Sequence, residues 1–321
     1  GMALGALAYL PWVIFAWAYY GSPIPHTIIA KVARYTPGEL LAALATYPWR
    51  LLFGHVMLHG IYLPSYFDFG GWPAALVWPA RALTLGAALA WAWPRLRPGG
   101  RLASAAFFLG GFYVEYIPGS PWYYPGWQSL GWIAWAYLLH AIWEVGADAA
   151  RAWVRSVVRI AAGLVVLLQG GLLAATAWQM RAQQAIIEDG SLRLIGLWLR
   201  EQSAGRHASV YLEPLGYIGY FSGLKMFDYP GLCSPEVVAA RRAGRPIVRS
   251  LQPDWLVFRP AEADAVNAAW PGLLKEDYRF ARAFDARAAV DARRLLPGRG
   301  YLDYDAVFLI FARNPPAPPR P

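Results

Sequence analysis

The sequence predicts a membrane all-α bundle of about five transmembrane helices followed by a small extracytoplasmic α/β domain. Three observations lead there. Hydrophobic residues make up 57% of the 321 positions and charged ones only 15%, a balance unusual for a soluble protein. Two stretches, Met2–Tyr20 and Ile160–Trp178, contain no Asp, Glu, Lys, Arg or His, and each is long enough to cross a hydrocarbon core of ~30 Å. Beyond Gln179 charged residues mix with short apolar runs, the composition of a domain built for water.

Met2–Tyr20 has no basic segment ahead of it. It therefore reads as a helix from the middle of a larger membrane protein rather than a removable signal. Three further spans are expected, each with an interruption: Trp72–Trp93 carries Pro79 and Arg81, Leu102–Ile117 carries Glu115, and Trp127–Trp143 carries His140. Arg95, Arg97 and Arg101 fall in one connection and Arg151, Arg155 and Arg159 in another. Placing those arginines on the cytoplasmic side puts residues 21–71, 118–126 and 180–321 outside. Aromatics near the span ends (Trp12, Trp17, Tyr19, Tyr20, Trp72, Trp122, Tyr123, Tyr124, Trp127) suit interfacial belts.

The expected domains are a bundle over 1–179, an α/β domain over 180–314 and a disordered proline-rich tail over 315–321. In the α/β domain Ser191–Glu201 has helical spacing, and Ala208–Pro214, Leu224–Leu232, Pro253–Pro260 and Tyr304–Asn314 read as buried strands. Ser234 and Pro235 mark a helix start as N-cap and first-turn residue. The glycines of "EPLGYIGYFSG" lack dinucleotide-turn spacing, so a tight loop packed against the membrane-facing side is expected there. The single cysteine, Cys233, excludes an intrachain disulfide and reads as a packed residue.

The net charge of +9 divides as ten basic and five acidic groups before residue 180 and nineteen and fifteen after. No basic helix interleaved with aromatics appears, which argues against nucleic acid and for lipid headgroups and lipid-linked phosphates as partners.

Candidate sites follow from residues that are costly near lipid. The stretch "YYGSPIPHTIIAK" leaves the first span through two prolines and presents His26, Thr27 and Lys31 at the interface. There a point charge, a hydroxyl and helix N–H groups could take an anionic phosphate. Arg81 and Glu115 are functional candidates because ionisable groups within spans usually face a cavity. Asp68 is an outer carboxylate before the last span, of the type a glycosyl-transfer base requires. Trp122, Tyr123 and Tyr124 offer a wall for a sugar ring or prenyl chain. His55 and His59, four apart without an intervening carboxylate, fit an amphipathic interfacial helix over about 38–63 better than a metal site.

Three stretches, "YYGSPIPHTIIAK", "PGSPWYYPGW" and "LEPLGYIGYFSGLKMFDYPGLCSPEVV", occur in an order similar to that in GT-C superfamily glycosyltransferases. The chain resembles the later portion of such an enzyme, over scattered positions from Tyr19 to Val238. The resemblance implies a bacterial inner-membrane enzyme that moves a sugar from a polyprenyl-phosphate donor to an extracytoplasmic acceptor by inverting displacement. It also implies an acidic base in a first outer loop upstream of the part resembled. The first acidic residue here is Glu39, and Asp68 or Glu115 is expected to substitute in that role. No cofactor is assigned, and a divalent metal stays open. A non-catalytic membrane-anchored binding or scaffold protein is the competing expectation. A lipid-linked-sugar translocator ranks last for want of an internal repeat.

Overall fold

In the computed structural model the described residues are 2–23, 30, 35–54, 61–62, 74–116, 123–148, 152–293 and 299–315. Contacts divide the chain into two compact units, Gly1–Val32 with Ala182–Arg293 and Leu302–Pro321, and Ala33–Arg181 with Arg294–Tyr301.

The second unit is helical: α2 (Pro37–Phe53), α3 (Ala74–Leu89, closed by a 3₁₀ turn at Ala90–Ala92), α4 (Pro98–Tyr116), α5 (Tyr124–Asp148) and most of α6 (Ala152–Gln183). α1 (Met2–Tyr20) belongs to the other unit. Its sequence is apolar on every side, with Leu7, Trp12 and Trp17 exposed. α2 begins on a capping box in which Glu39 takes the Thr36 N–H at 2.7 Å, and Pro37 occupies the first turn, where no N–H is needed.

The helices of this unit meet where indoles lie over glycines. The Trp127 ring stacks on Phe107 with centroids 4.2 Å apart, and its Nε1 donates to the Phe107 carbonyl at 2.7 Å. A Cβ at Gly110 would sit 2.7 Å from that indole. Trp135 repeats the arrangement over Gly86 and donates to the Leu83 carbonyl at 2.9 Å. Trp127, expected in an interfacial belt, is thus a core residue: a buried indole is tolerated because its one donor is satisfied.

Of the five expected spans, two helices among the described residues are long and apolar enough to cross a membrane, Ala75–Ala92 and the helix running through Arg159–Gln202. Within α1 the stretch Leu7–Tyr19 is also apolar. The shortfall has a local cause in α4 and α5, where Arg101, Glu115, His140 and Glu144 dilute the apolar run. Near the expected domain boundary at 179/180 the contact division falls between Arg181 and Ala182. Helix continues from α6 through a π-helical stretch at Gln184–Leu192 into α7 (Arg193–Gln202).

The α/β region follows as β1 (Ser209–Leu212), α8 (Leu215–Ser222), β2 (Lys225–Asp228), α9 (Pro235–Arg242), α10 (Ile247–Leu251), β3 (Trp255–Phe258), α11 (Pro260–Ala269), α12 (Leu273–Glu276), β4 (Tyr278–Asp285), α13 (Arg287–Asp291), α14 (Arg299–Tyr304) and β5 (Val307–Arg313). The sheet order is β2-β1-β3-β5-β4. β1 runs parallel to β2 and β3, whereas β5 is antiparallel to both β3 and β4, with a register shift between Phe280 and Arg282. Tyr211, Phe227, Leu256, Phe258, Leu273 and Phe311 belong to the core on one face.

"EPLGYIGYFSG" forms α8 rather than a loop, ending on Gly223 at φ 67°, the left-handed cap that glycine adopts without strain. Gly196 in α7 makes the close crossing possible, because a Cβ there would lie 2.8 Å from Phe221 Cβ and 3.0 Å from the Ile218 carbonyl. Pro235 opens α9 as expected, but the Ser234 hydroxyl does not cap it. That oxygen instead accepts the Asp228 N–H at 3.0 Å. Cys233, expected to be packed, is exposed.

Candidate functional site

β1 leads to β2 on one side and, through α9 and α10, β2 leads to β3 on the other, so the chain reverses direction across the sheet between β1 and β3. Open α/β sheets bind ligands beyond the carboxyl ends of their strands at such a point. Here the first residue after β1 is Glu213 and the first after β3 is Arg259.

Arg259 is buried, its side chain 5% exposed, and three carboxylates surround it. Its Nε donates to Asp305 at 2.6 Å, its Nη1 to Glu262 at 2.7 Å and its Nη2 to Glu213 at 2.9 Å. Glu262 also accepts the Arg259 backbone N–H at 2.8 Å, which opens α11. The guanidinium carbon lies 4.3 Å from the Tyr304 ring centroid and 5.4 Å from that of Phe308. Burial works against the Arg259 charge, but Asp305, Glu262 and Glu213 outweigh it, and its pKa lies above the ordinary guanidinium value. Burial pushes the Asp305 carboxyl above the usual carboxylate range, with Arg259 pulling the other way.

One guanidinium against three carboxylates leaves a surplus of acceptor oxygens. Glu213 is the accessible member, 42% exposed, and exposed Tyr304 stands beside it over the same guanidinium. Carboxylate and aromatic faces together take hydroxyl-rich ligands: oxygens accept O–H groups, and ring faces cover C–H surfaces. Among the described residues no cluster of His, Cys, Asp and Glu is arranged to hold a metal.

At the end of β2, Asp228 closes a tight turn. Its Oδ1 accepts the Cys233 N–H at 3.0 Å, its Oδ2 accepts the Leu232 N–H, and Arg241 holds the Tyr229 and Pro230 carbonyls. Gly231 stands at φ 78°, and a Cβ on it would meet Val238 at 2.8 Å. The run Asp228–Leu232 is therefore a structural clamp at the carboxyl end of β2.

Of the residues singled out from the sequence, His26, Thr27, Lys31, Asp68 and Trp122 lie outside the described residues, as do His55 and His59. Arg81 is engaged within the helices: its Nη2 donates to the Leu52 carbonyl at 2.8 Å near the end of α2, and its guanidinium lies 5.9 Å from the Trp78 ring centroid. Glu115 stands in the last turn of α4 beside Tyr116, whose ring meets that of Tyr47 edge-on at 6.2 Å. Arg50 lies 5.4 Å from the Tyr116 ring centroid, and Tyr35 meets that ring edge-on. Tyr124 packs against the helical core, whereas Tyr123 is exposed.

Sequence reasoning missed Arg259 and Asp305 because they are 46 positions apart and only the sheet brings them together. A charged residue directly after each of two apolar strands, Glu213 and Arg259, was the available signal.

Residues 178–304 match a family described as a domain of unknown function (DUF8728). No curated protein and no solved structure matches the chain.

Proposed function

We propose that this chain is a membrane glycosyltransferase, or the C-terminal part of one, that moves a sugar from a polyprenyl-phosphate donor to an extracytoplasmic acceptor glycan, lipid or protein. The observation that carries the reading is the combination in one chain of apolar-surfaced helices with an α/β domain whose sheet gathers carboxylates and an exposed aromatic at its carboxyl edge. The helices suit a lipid-linked donor, and the edge suits sugar hydroxyls.

In this reading the acceptor hydroxyl attacks the anomeric carbon, a carboxylate takes its proton, and polyprenyl phosphate leaves. Glu115 and Asp68 are the acids for the proton, Lys31, Thr27, His26 and Arg81 the groups for the phosphate, and Trp122, Tyr123 and Tyr124 the wall for sugar or prenyl chain. Arg50 joins them as a cation over the ring of Tyr116, the residue next to Glu115. The test is binding of a polyprenyl-phosphate analogue, and transfer of labelled sugar from such a donor, by the full chain in nanodiscs. Lys31→Ala and Thr27→Ala are expected to weaken binding and Glu115→Gln to slow transfer. Analogue affinities equal to wild type in both Lys31→Ala and Thr27→Ala would remove the phosphate assignment.

One observation favours a second reading, a membrane-anchored binding module without catalysis. The charge of Arg259 is fully engaged by carboxylates of its own domain, as in a structural tie. That reading predicts glycan binding, abolished by Glu213→Gln, with no sugar transfer under any donor.

A further inference from the structure

The amino edge of the same sheet carries charge of the opposite sign. Here β1 and β3 begin, β5 ends and β4 starts. A cleft of about 460 Å³ opens there, lined by Arg206, His207, Asp254, Arg279, Arg313 and Asn314 together with backbone and apolar neighbours. Three guanidiniums face one carboxylate.

Most of these groups are already satisfied. Asp254 accepts Arg313 Nη2 at 2.9 Å through Oδ1, and the Ser209 N–H at 2.9 Å and hydroxyl at 3.1 Å through Oδ2. Arg313 Nη1 donates to the Gln252 carbonyl at 2.7 Å, Arg206 Nη2 to the Gln202 carbonyl at 2.8 Å, and Asn314 Nδ2 to the Glu276 carbonyl at 2.8 Å. Arg279 and His207 are different. Both are exposed, and neither side chain makes a hydrogen bond or ion pair among the described residues. Among the described residues lining this cleft, Asp254 is the one carboxylate, and it is committed to Arg313 and Ser209 rather than to Arg279.

From this geometry we infer that the amino-edge cleft is a binding site for a phosphate-bearing ligand, with Arg279 and His207 as its donors and Arg206 adding charge. A guanidinium presents paired N–H groups that match two phosphate oxygens, which an exposed carboxylate partner would otherwise occupy. A second cavity of about 880 Å³ shares Arg313, Asn314 and Pro315 and is lined further by Val248, Tyr278, Glu276, Asp277 and Arg249, with Arg249 Nε donating to Asp277 at 3.2 Å. It gives room for whatever the phosphate carries. The site is separate from the carboxyl edge and does not rest on the sugar-transfer reading.

The experiment is calorimetric titration of the full chain in detergent micelles, with inorganic pyrophosphate and, in parallel, with glycerophosphoglycerol, the soluble headgroup of an anionic phospholipid. Saturable binding that weakens with salt is expected for at least one. Tighter binding of pyrophosphate identifies a free phosphate compound, and tighter binding of glycerophosphoglycerol identifies a lipid headgroup. Arg279→Ala lowers the affinity about tenfold and Arg279→Glu further, while Arg279→Lys keeps part of it. Arg245→Ala, an exposed arginine outside the cleft, leaves affinity unchanged, and the unfolding midpoint of Arg279→Glu matches wild type. No saturable binding of either probe, or binding that Arg279→Glu and His207→Ala leave at wild-type strength, overturns the proposal.

Discussion

The helical segments and the sheet domain treat apolar side chains in opposite ways. Along α6, Val166 is 70% exposed and Leu167 72%, and Leu164 and Leu173 are likewise exposed on a helix with no Asp or Glu. In the sheet, Leu256, Val257 and Ile310 are completely buried, and charged residues occupy the surface. The same residue types point outward in one region and inward in the other. In water an outward apolar surface of that extent is an association site or a liability, and in a bilayer it is the ordinary exterior. Under the membrane reading proposed above, the contrast corresponds to two regions built for different solvents. It extends to charge. The helices keep Arg81 beside a carbonyl and an indole, whereas the sheet domain buries Arg259 among three carboxylates.

The largest expected effect breaks the contrast on the sheet side. Arg259→Ala leaves Asp305 buried without its cation and is expected to cost about 3–5 kcal/mol, the range for removing one partner of a buried ion pair. Thermal unfolding of the full chain, followed through the sheet signal, measures it. Arg259→Lys, which keeps the charge and loses the fork, should fall between that variant and wild type.

On the helical side, Leu167→Arg is expected to cost about 2.5–3.5 kcal/mol of insertion, read as the fraction of chain recovered in membranes after an alkaline wash. Leu167→Ala should leave sheet unfolding unchanged, and a loss of sheet stability there would mean that Leu167 is packed by protein. Gly196→Ala sharpens the picture of the α7–α8 crossing. The added methyl meets the Ile218 carbonyl and the Phe221 Cβ, and the expected loss is about 1–3 kcal/mol by chemical denaturation.

The smallest effect is pH-dependent. Asp305 has its folded-state pKa raised by burial, so the folded domain takes that proton more readily than the unfolded chain. The group's contribution to stability is complete below the ordinary carboxylate value and is lost as pH rises through the raised one. Unfolding midpoints of wild type and Asp305→Asn, compared between pH 7 and pH 4, should therefore shift in favour of wild type as pH falls. A shift in the other direction would mean that the Arg259 charge, rather than burial, governs this carboxyl.

What could be read from the sequence divides along the same line. Four strands were visible because Val210, Phe227, Leu256 and Ile310 sit in short apolar runs bounded by turn residues. β4 was not, because Tyr278 is its one buried position and its other residues face outward. α8 looked like a loop since Gly216, Gly219 and Gly223 suggest turns, yet the close approach at Gly196 supplies a helical partner. Trp127 looked interfacial because composition cannot tell an indole at a lipid boundary from one laid over Gly110. The carboxyl-edge cluster was hidden because Glu213, Arg259 and Asp305 become neighbours only when β1, β3 and β5 pair.

The most direct test of two solvents uses the single cysteine. Cys233 is exposed in the sheet domain, and Leu167→Cys in a Cys233→Ser background places the same thiol on α6. Each is labelled with one fluorophore in nanodiscs and quenched with iodide in the aqueous phase or with spin-labelled lipid. The prediction is quenching by lipid alone at position 167 and by iodide alone at position 233. Iodide quenching at both positions, with no lipid quenching at 167, would contradict a lipid-facing helix surface and with it the membrane reading.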